Sequence, residues 1–152
     1  MKQRLALLQL ATLALAALLG CAAPPATGQP VGKGGEETTS MDALEGKTWT
    51  LVQFEDGSPA SSERAITAVF KDGKVTGSGG CNRYSATVTS SSPGALKVGA
   101  ISATKMACAG PAGSNEQRYF AALEKAEGFA LEEGLLVLSP GRMVFKDGSP
   151  AQ

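Results

Sequence analysis

Histidine is absent from all 152 residues. That removes the commonest general base and the commonest metal ligand at neutral pH. Aromatic residues make up only 5%, with a single tryptophan. The three cysteines, Cys21, Cys81 and Cys108, include no C-x-x-C pair. Neither a redox motif nor a zinc site therefore has a ligand framework. Basic and acidic side chains balance at 14 each. With no basic stripe among them, nucleic acid is not an expected partner. Paired acids occur at Glu36-Glu37, Glu55-Asp56 and Glu132-Glu133, each in a turn or tether context. No catalytic residue, cofactor or metal ligand is expected, and the chain reads as a non-enzyme.

Long apolar runs are also missing, with one exception near the start. Lys2 and Arg4 precede LALLQLATLALAALL, which spans Leu5 to Leu19 and ends in Leu18-Leu19-Gly20-Cys21. A spanning helix needs roughly 20 apolar residues, and this run is shorter and contains Gln9 and Thr12. A basic start, an apolar middle and a small residue before the cut mark an export signal. The Leu-Leu-Gly-Cys tetrad resembles the lipobox of bacterial lipoproteins, whose cysteine becomes the first mature residue and carries lipid. That resemblance implies a lipoprotein signal peptide at 1–20 and lipidation of Cys21 with several acyl chains. One chain holds a protein only marginally, and several hold it durably. Ala22 stands where an inner-membrane retention signal would place Asp. The expected location is thus the cell envelope, on the outer membrane facing the periplasm.

Residues 22–41 read AAPPATGQPVGKGGEETTSM, without any apolar period. Such a stretch buries too little surface to offset its ordering entropy, so 21–41 is expected to be a lipidated flexible linker. Residues 42–152 remain as one domain of ordinary size, expected to be monomeric.

Most of that domain reads as short strands between turn residues. Lys47–Phe54 alternates, with Trp49 and Leu51 on one face and Thr50, Val52 and Phe54 on the other. Ala65–Lys71 puts Ile66, Ala68 and Phe70 together, and Asp72-Gly73 joins it tightly to Lys74–Gly77. Arg83–Thr89 alternates again, and Ala95–Val98 with Ala100–Ala103 reads as a strand broken at Gly99. A helix is expected from a capping box at Ser114 and Gln117 to a stop at Gly128. Its apolar stripe is Tyr119, Phe120, Leu123 and Ala126. Three further strands, Phe129–Glu132, Leu135–Ser139 and Arg142–Lys146, form a meander. The fold class is α+β, a curved antiparallel sheet with one packed helix.

Two segments stand out. Gly77-Ser78-Gly79-Gly80-Cys81-Asn82-Arg83-Tyr84 crowds glycines beside a cysteine and enters a strand, which suits a tight corner better than a phosphate cradle. Ala103-Thr104-Lys105-Met106-Ala107-Cys108 carries the other remaining thiol. With Cys21 taken by lipid, Cys81 and Cys108 in an oxidising compartment are expected to pair; two buried free thiols are the alternative.

Taken in order, Trp49-Thr50-Leu51, Gly79-Gly80-Cys81-Asn82-Arg83-Tyr84, Thr104-Lys105-Met106-Ala107-Cys108, Glu116, Phe120 and Leu123 resemble the META domain, known also from HslJ-type heat-inducible proteins. The likeness runs from Leu44 to Phe145. At Ser85-Ala86-Thr87-Val88 the chain departs from the glycine and second aromatic frequent in the family. The resemblance implies that Trp49, Gly79, Gly80, Asn82, Tyr84, Thr104, Met106 and Glu116 are structural. It also implies a stress-related envelope protein that binds a protein or an apolar ligand. The competing reading is a structural or inhibitor-type interaction module without a ligand pocket.

Overall fold

The computed structural model describes residues 39–60 and 63–149. The expected signal peptide, the lipidation site Cys21 and the linker up to residue 38 lie outside the described residues. Among those described, no helix is long and apolar enough to cross a membrane. A 3-10 turn, Met41–Leu44, opens the domain under a Ser40 cap. There follow β1 (Trp49–Gln53), β2 (Ile66–Lys71), β3 (Lys74–Gly79), β4 (Arg83–Thr89), β5 (Lys97–Val98), β6 (Ser102–Ala103), α1 (Pro111–Glu124), β7 (Gly128–Glu132), β8 (Leu135–Ser139) and β9 (Met143–Asp147).

All strand pairs are antiparallel, in the order β5-β4-β3-β2-β1-β9-β8-β7. β6 pairs with the start of β4, through Tyr84 and Ser85, and β5 with its end, through Val88 and Thr89. The two ends of the sheet meet at a short seam, where Phe129 N donates to Gly94 O at 2.8 Å and Leu96 N to Glu127 O at 3.0 Å. The sheet is therefore nearly closed, with α1 against it. This is the α+β class read from the strand and helix periods.

Period-2 alternation sets the inner face. Ile66, Ala68 and Phe70 on β2, and Tyr84, Ala86 and Val88 on β4, are buried between exposed or half-buried neighbours. Asp72 and Gly73 join β2 to β3 with φ of 49° and 69°. Two consecutive positive φ values define the tight hairpin turn that matches strand twist, and Gly carries the second at no steric cost.

Three local expectations need correction. Phe54, expected opposite Trp49 and Leu51, is 1% exposed. A bulge shifts the β1–β9 register between Leu51 and Gln53, and one extra residue exchanges the faces beyond it. The helix begins at Pro111 after Gly110, with no side-chain cap. Proline suits the first helical position because its missing N–H would have no partner there. Ser114 sits inside the helix and donates to Pro111 O at 2.9 Å. At the other end, helical bonding stops at Glu124 with Lys125 as cap, and Gly128 already belongs to β7.

Inside, Trp49, Phe54, Phe70, Tyr119, Leu136, Leu138 and Phe145 are each less than 2% exposed. Trp49 also places its Nε1 proton on Leu44 O at 3.1 Å, so its one polar atom is satisfied. Gly77 lies opposite Tyr84 in the β3–β4 register. A methyl group there would be driven into the Thr67 carbonyl and stand 3.2 Å from the Tyr84 ring. Gly77→Ala should accordingly cost about 2 kcal/mol through overpacking. In urea the midpoint should fall while the slope stays unchanged.

Candidate functional site

The two standout segments meet at the α1 end of the sheet, where Asn82 is the hub. Its main-chain carbonyl accepts from Gly79 N at 2.8 Å, closing the corner between β3 and β4. Its side-chain orientation follows from its partners. Met106 N, which can only donate, lies 2.7 Å from Oδ1, so that atom is the oxygen. Oδ1 also accepts the Thr104 hydroxyl proton at 2.9 Å. Nδ2 donates to Glu116 Oε1 at 2.7 Å and to Met106 O at 3.4 Å, and Asn82 N donates to Glu116 Oε2 at 2.5 Å.

Glu116 comes from the second turn of α1 and is 8% exposed, beside Asn82 at 6%. It grips Asn82 with both oxygens. Gly79 makes the approach feasible, since a methyl there would stand 2.7 Å from Glu116 Oε2 and 2.8 Å from the Phe120 ring. Thr104 completes the lattice by donating its N–H to Arg83 O at 3.0 Å and accepting from Arg83 N at 3.3 Å. Cys81 and Cys108 are joined, with sulfurs 2.00 Å apart. Segment 104–108 is thus held by hydrogen bonds and a covalent bridge. Met106 contributes its backbone to this knot, while its side chain is 58% exposed.

Next to the knot sits a pair that sequence reading missed. Tyr84 donates its hydroxyl proton to Thr67 O at 3.1 Å. The 2.6 Å contact between the Tyr84 and Tyr119 hydroxyls is therefore donated by Tyr119. The rings meet edge to face, 5.6 Å between centroids. Burial pushes both phenols above their ordinary value of 10.0, and for Tyr119 the neighbouring Tyr84 adds to the rise. These are the chain's only tyrosines. A phenol with a raised folded pKa supports the fold below the unfolded value and loses that support as pH climbs past it. Stability should hold to about pH 10, then fall by about 1.4 kcal/mol per pH unit for each tyrosine. Absorbance at 295 nm checks this. Tyrosinate should appear together with unfolding, and a non-cooperative rise near pH 10 in folded protein would refute it.

On the far side of α1, Arg118 pairs with Asp56 and donates to Ser58 Oγ at 3.0 Å. Its guanidinium lies 4.1 Å from the Phe54 ring centroid. The Ser58 N–H, followed by its hydroxyl and Arg118, lowers Asp56 from 3.8 to about 2. These contacts fasten the loop after β1 to the helix.

Among the described residues, no group of three or more His, Cys, Asp or Glu is positioned to hold a metal. Glu132 pairs with Arg142 at 2.8 Å on the surface, so the Glu132-Glu133 pair does not converge on a cleft. Trp49, Asn82, Tyr84, Thr104 and Glu116 have hydrogen-bond partners, and Gly79 and Gly80 face close neighbours, whereas the Met106 side chain stands exposed. What the arrangement does is fix the exposed segment 104–107 beside a groove on the outer face of β2–β4.

Comparison with known proteins supplies the context. A family model described as META domain matches residues 42–148. The solved NMR structure of a protein from Burkholderia xenovorans is similar with a TM-score of 0.60 and 20% identity, covering 91% of this chain and 100% of its own. A second NMR structure gives 0.58 and 21%, covering 70% of this chain and 93% of its own. At such identities the likeness concerns the fold. No match was found among curated proteins.

Proposed function

The chain belongs to the META domain family, and from that premise we propose that it is a non-enzymatic envelope lipoprotein that binds a protein partner on its outer surface. Cys21 carries the lipid in this reading, and the linker lets the domain sample the periplasm near the outer membrane during stress. The lipobox-like Leu18-Leu19-Gly20-Cys21 supports the anchor. The observation that carries the choice of partner is the filled interior. Trp49, Phe70, Tyr119 and Phe145, each less than 2% exposed, occupy the space an apolar ligand would need. Buried polar groups in the motif segments are bonded to one another. This favours a protein partner over an acyl chain held inside the sheet.

Photo-crosslinking in intact cells tests the reading. Crosslinkers at Thr76, Gln117 and Lys146 sample three exposed faces of the domain. One dominant envelope protein, captured from one face and lost when Cys21→Ser abolishes acylation, is the expected result. A stoichiometric apolar molecule co-purifying with the folded chain would overturn it, as would a chain that is never acylated. A structural or inhibitor-type module predicts the same filled interior, and it would be distinguished by loss of a target's activity on capture.

A further inference from the structure

The outer face of β2–β4 carries a groove of about 750 Å³ whose walls include Arg64, Thr67, Val69, Ser78, Arg83 and Met106. Three of its residues form one register row: Thr67 lies opposite Ser78, and Ser78 opposite Arg83. Neighbouring strands stand about 4.8 Å apart, so two hydroxyls and a guanidinium line up across roughly 10 Å. Arg64 flanks the row near the start of β2, and among the described residues its Nη1 bonds to the Cys108 sulfur, at 3.6 Å.

The hydrogen-bond inventory of this groove is lopsided. Thr67 Oγ1 accepts from Ser78 N, and Ser78 Oγ accepts from Gly80 N, both at 3.1 Å. Each hydroxyl keeps its own proton to give. Arg64 and Arg83 form no ion pair among the described residues, and no carboxylate lines the groove. Two guanidinium groups gather here without a carboxylate to neutralise them. Beside them stands Met106, the one large apolar side chain exposed among the described residues, on the segment that the Asn82 knot holds still.

We propose that this groove is a binding site for an extended acidic peptide segment of a partner protein. Carboxylates of the segment meet Arg64 and Arg83, its acceptors take the Thr67 and Ser78 hydroxyl protons, and an apolar side chain of the segment packs on Met106. A saccharide would lack a stacking surface, because the Tyr84 ring is buried beneath the strand. Charge-assisted contacts and an ordered apolar anchor are the features of a preorganised peptide site. The inference deepens the protein-binding reading above and rests on it.

The test is selection of random octapeptides displayed on phage against the full chain, followed by fluorescence anisotropy of the enriched peptide. Enriched sequences should set two Asp or Glu around an apolar residue. Arg64→Glu and Arg83→Glu should each weaken binding at least tenfold, Met106→Asp several-fold, and added salt should weaken it further. All three side chains are exposed, so thermal unfolding should be unchanged and serves as the folding control. Enrichment of non-acidic sequences, no enrichment, or equal affinity in the charge-reversed chains would overturn the site. So would binding of phosphatidylglycerol vesicles or inorganic phosphate in place of peptides. If crosslinking captures a partner from Gln117 or Lys146 while the groove selects nothing, this inference fails and the protein-binding reading stands. If no face captures a partner, both fail.

Discussion

Asn82→Ala should lower the stability of the domain by about 3 kcal/mol and its melting temperature by about 15 °C. The Asn82 side chain satisfies groups that have no second source. Removing it leaves Met106 N–H without its acceptor, the Thr104 hydroxyl without its acceptor, and Glu116 Oε1 without its donor. A buried donor or acceptor stripped of its partner costs its full desolvation, about 1 to 3 kcal/mol, which is more than an intact hydrogen bond contributes. Some relief is available because segment 104–106 is exposed and can take up water, which keeps the sum well below three full penalties. The isosteric Asn82→Asp separates bonding from packing. It sets a second carboxyl against Glu116, and two carboxyls sharing one site hold a proton between them. A carboxyl whose folded pKa is raised supports the fold at low pH and loses that support as pH rises. Asn82→Asp should therefore recover stability between pH 7 and pH 4, whereas Asn82→Ala should not. Calorimetry at both pH values checks this, and parallel behaviour of the two variants would rule out Glu116 as the partner.

The strands were legible because burial on one face writes a period of two into the chain, and β2 and β4 follow it without exception. The Asp72-Gly73 hairpin was legible from the φ requirement of its turn. Phe54 was not, since a bulge leaves the local pattern intact and shows only in the pairing with β9. The start of the helix was misread because Ser114 and Gln117 match a capping box. Gly110-Pro111, which offers a turn followed by a residue preset for the first helical position, was the better signal. The Asn82–Glu116 contact spans 34 residues, and nothing local announces it. The motif residues could be recognised as special, but their bonding depends on where the helix docks. Tyr84 and Tyr119, 35 residues apart, are similar: each reads as an apolar position, and only packing brings the two hydroxyls together. The groove was missed for a related reason. Thr67, Ser78 and Arg83 are ordinary outward-facing residues in three separate strands, and the row they make exists only in the register.

Loss of the bridge between Cys81 and Cys108 should cost about 3.5 kcal/mol, the chain-entropy value for a separation of 27 residues. In a domain of this size that is a large fraction of the total stability. Cys81→Ala with Cys108→Ala should give this loss in urea unfolding, and dithiothreitol should reproduce it on the unmodified chain. Two accounts of the cost can be separated, because the hydrogen bonds of Asn82 fasten the same segment as the bridge. If the bridge acts only by restricting the unfolded chain, its removal and Asn82→Ala should add, since one acts on the unfolded state and the other on the folded. If the bridge also positions Met106 N–H and Thr104 for Asn82, opening it loosens those bonds first. Asn82→Ala would then cost less in the bridge-free chain than in the intact one. Residues in one network couple by about 0.5 to 3 kcal/mol. A coupling of at least 0.5 kcal/mol is expected here, because segment 104–108 has little other attachment to the sheet than β6 and these contacts. Strict additivity would show instead that Asn82 alone holds Met106 in position beside the groove.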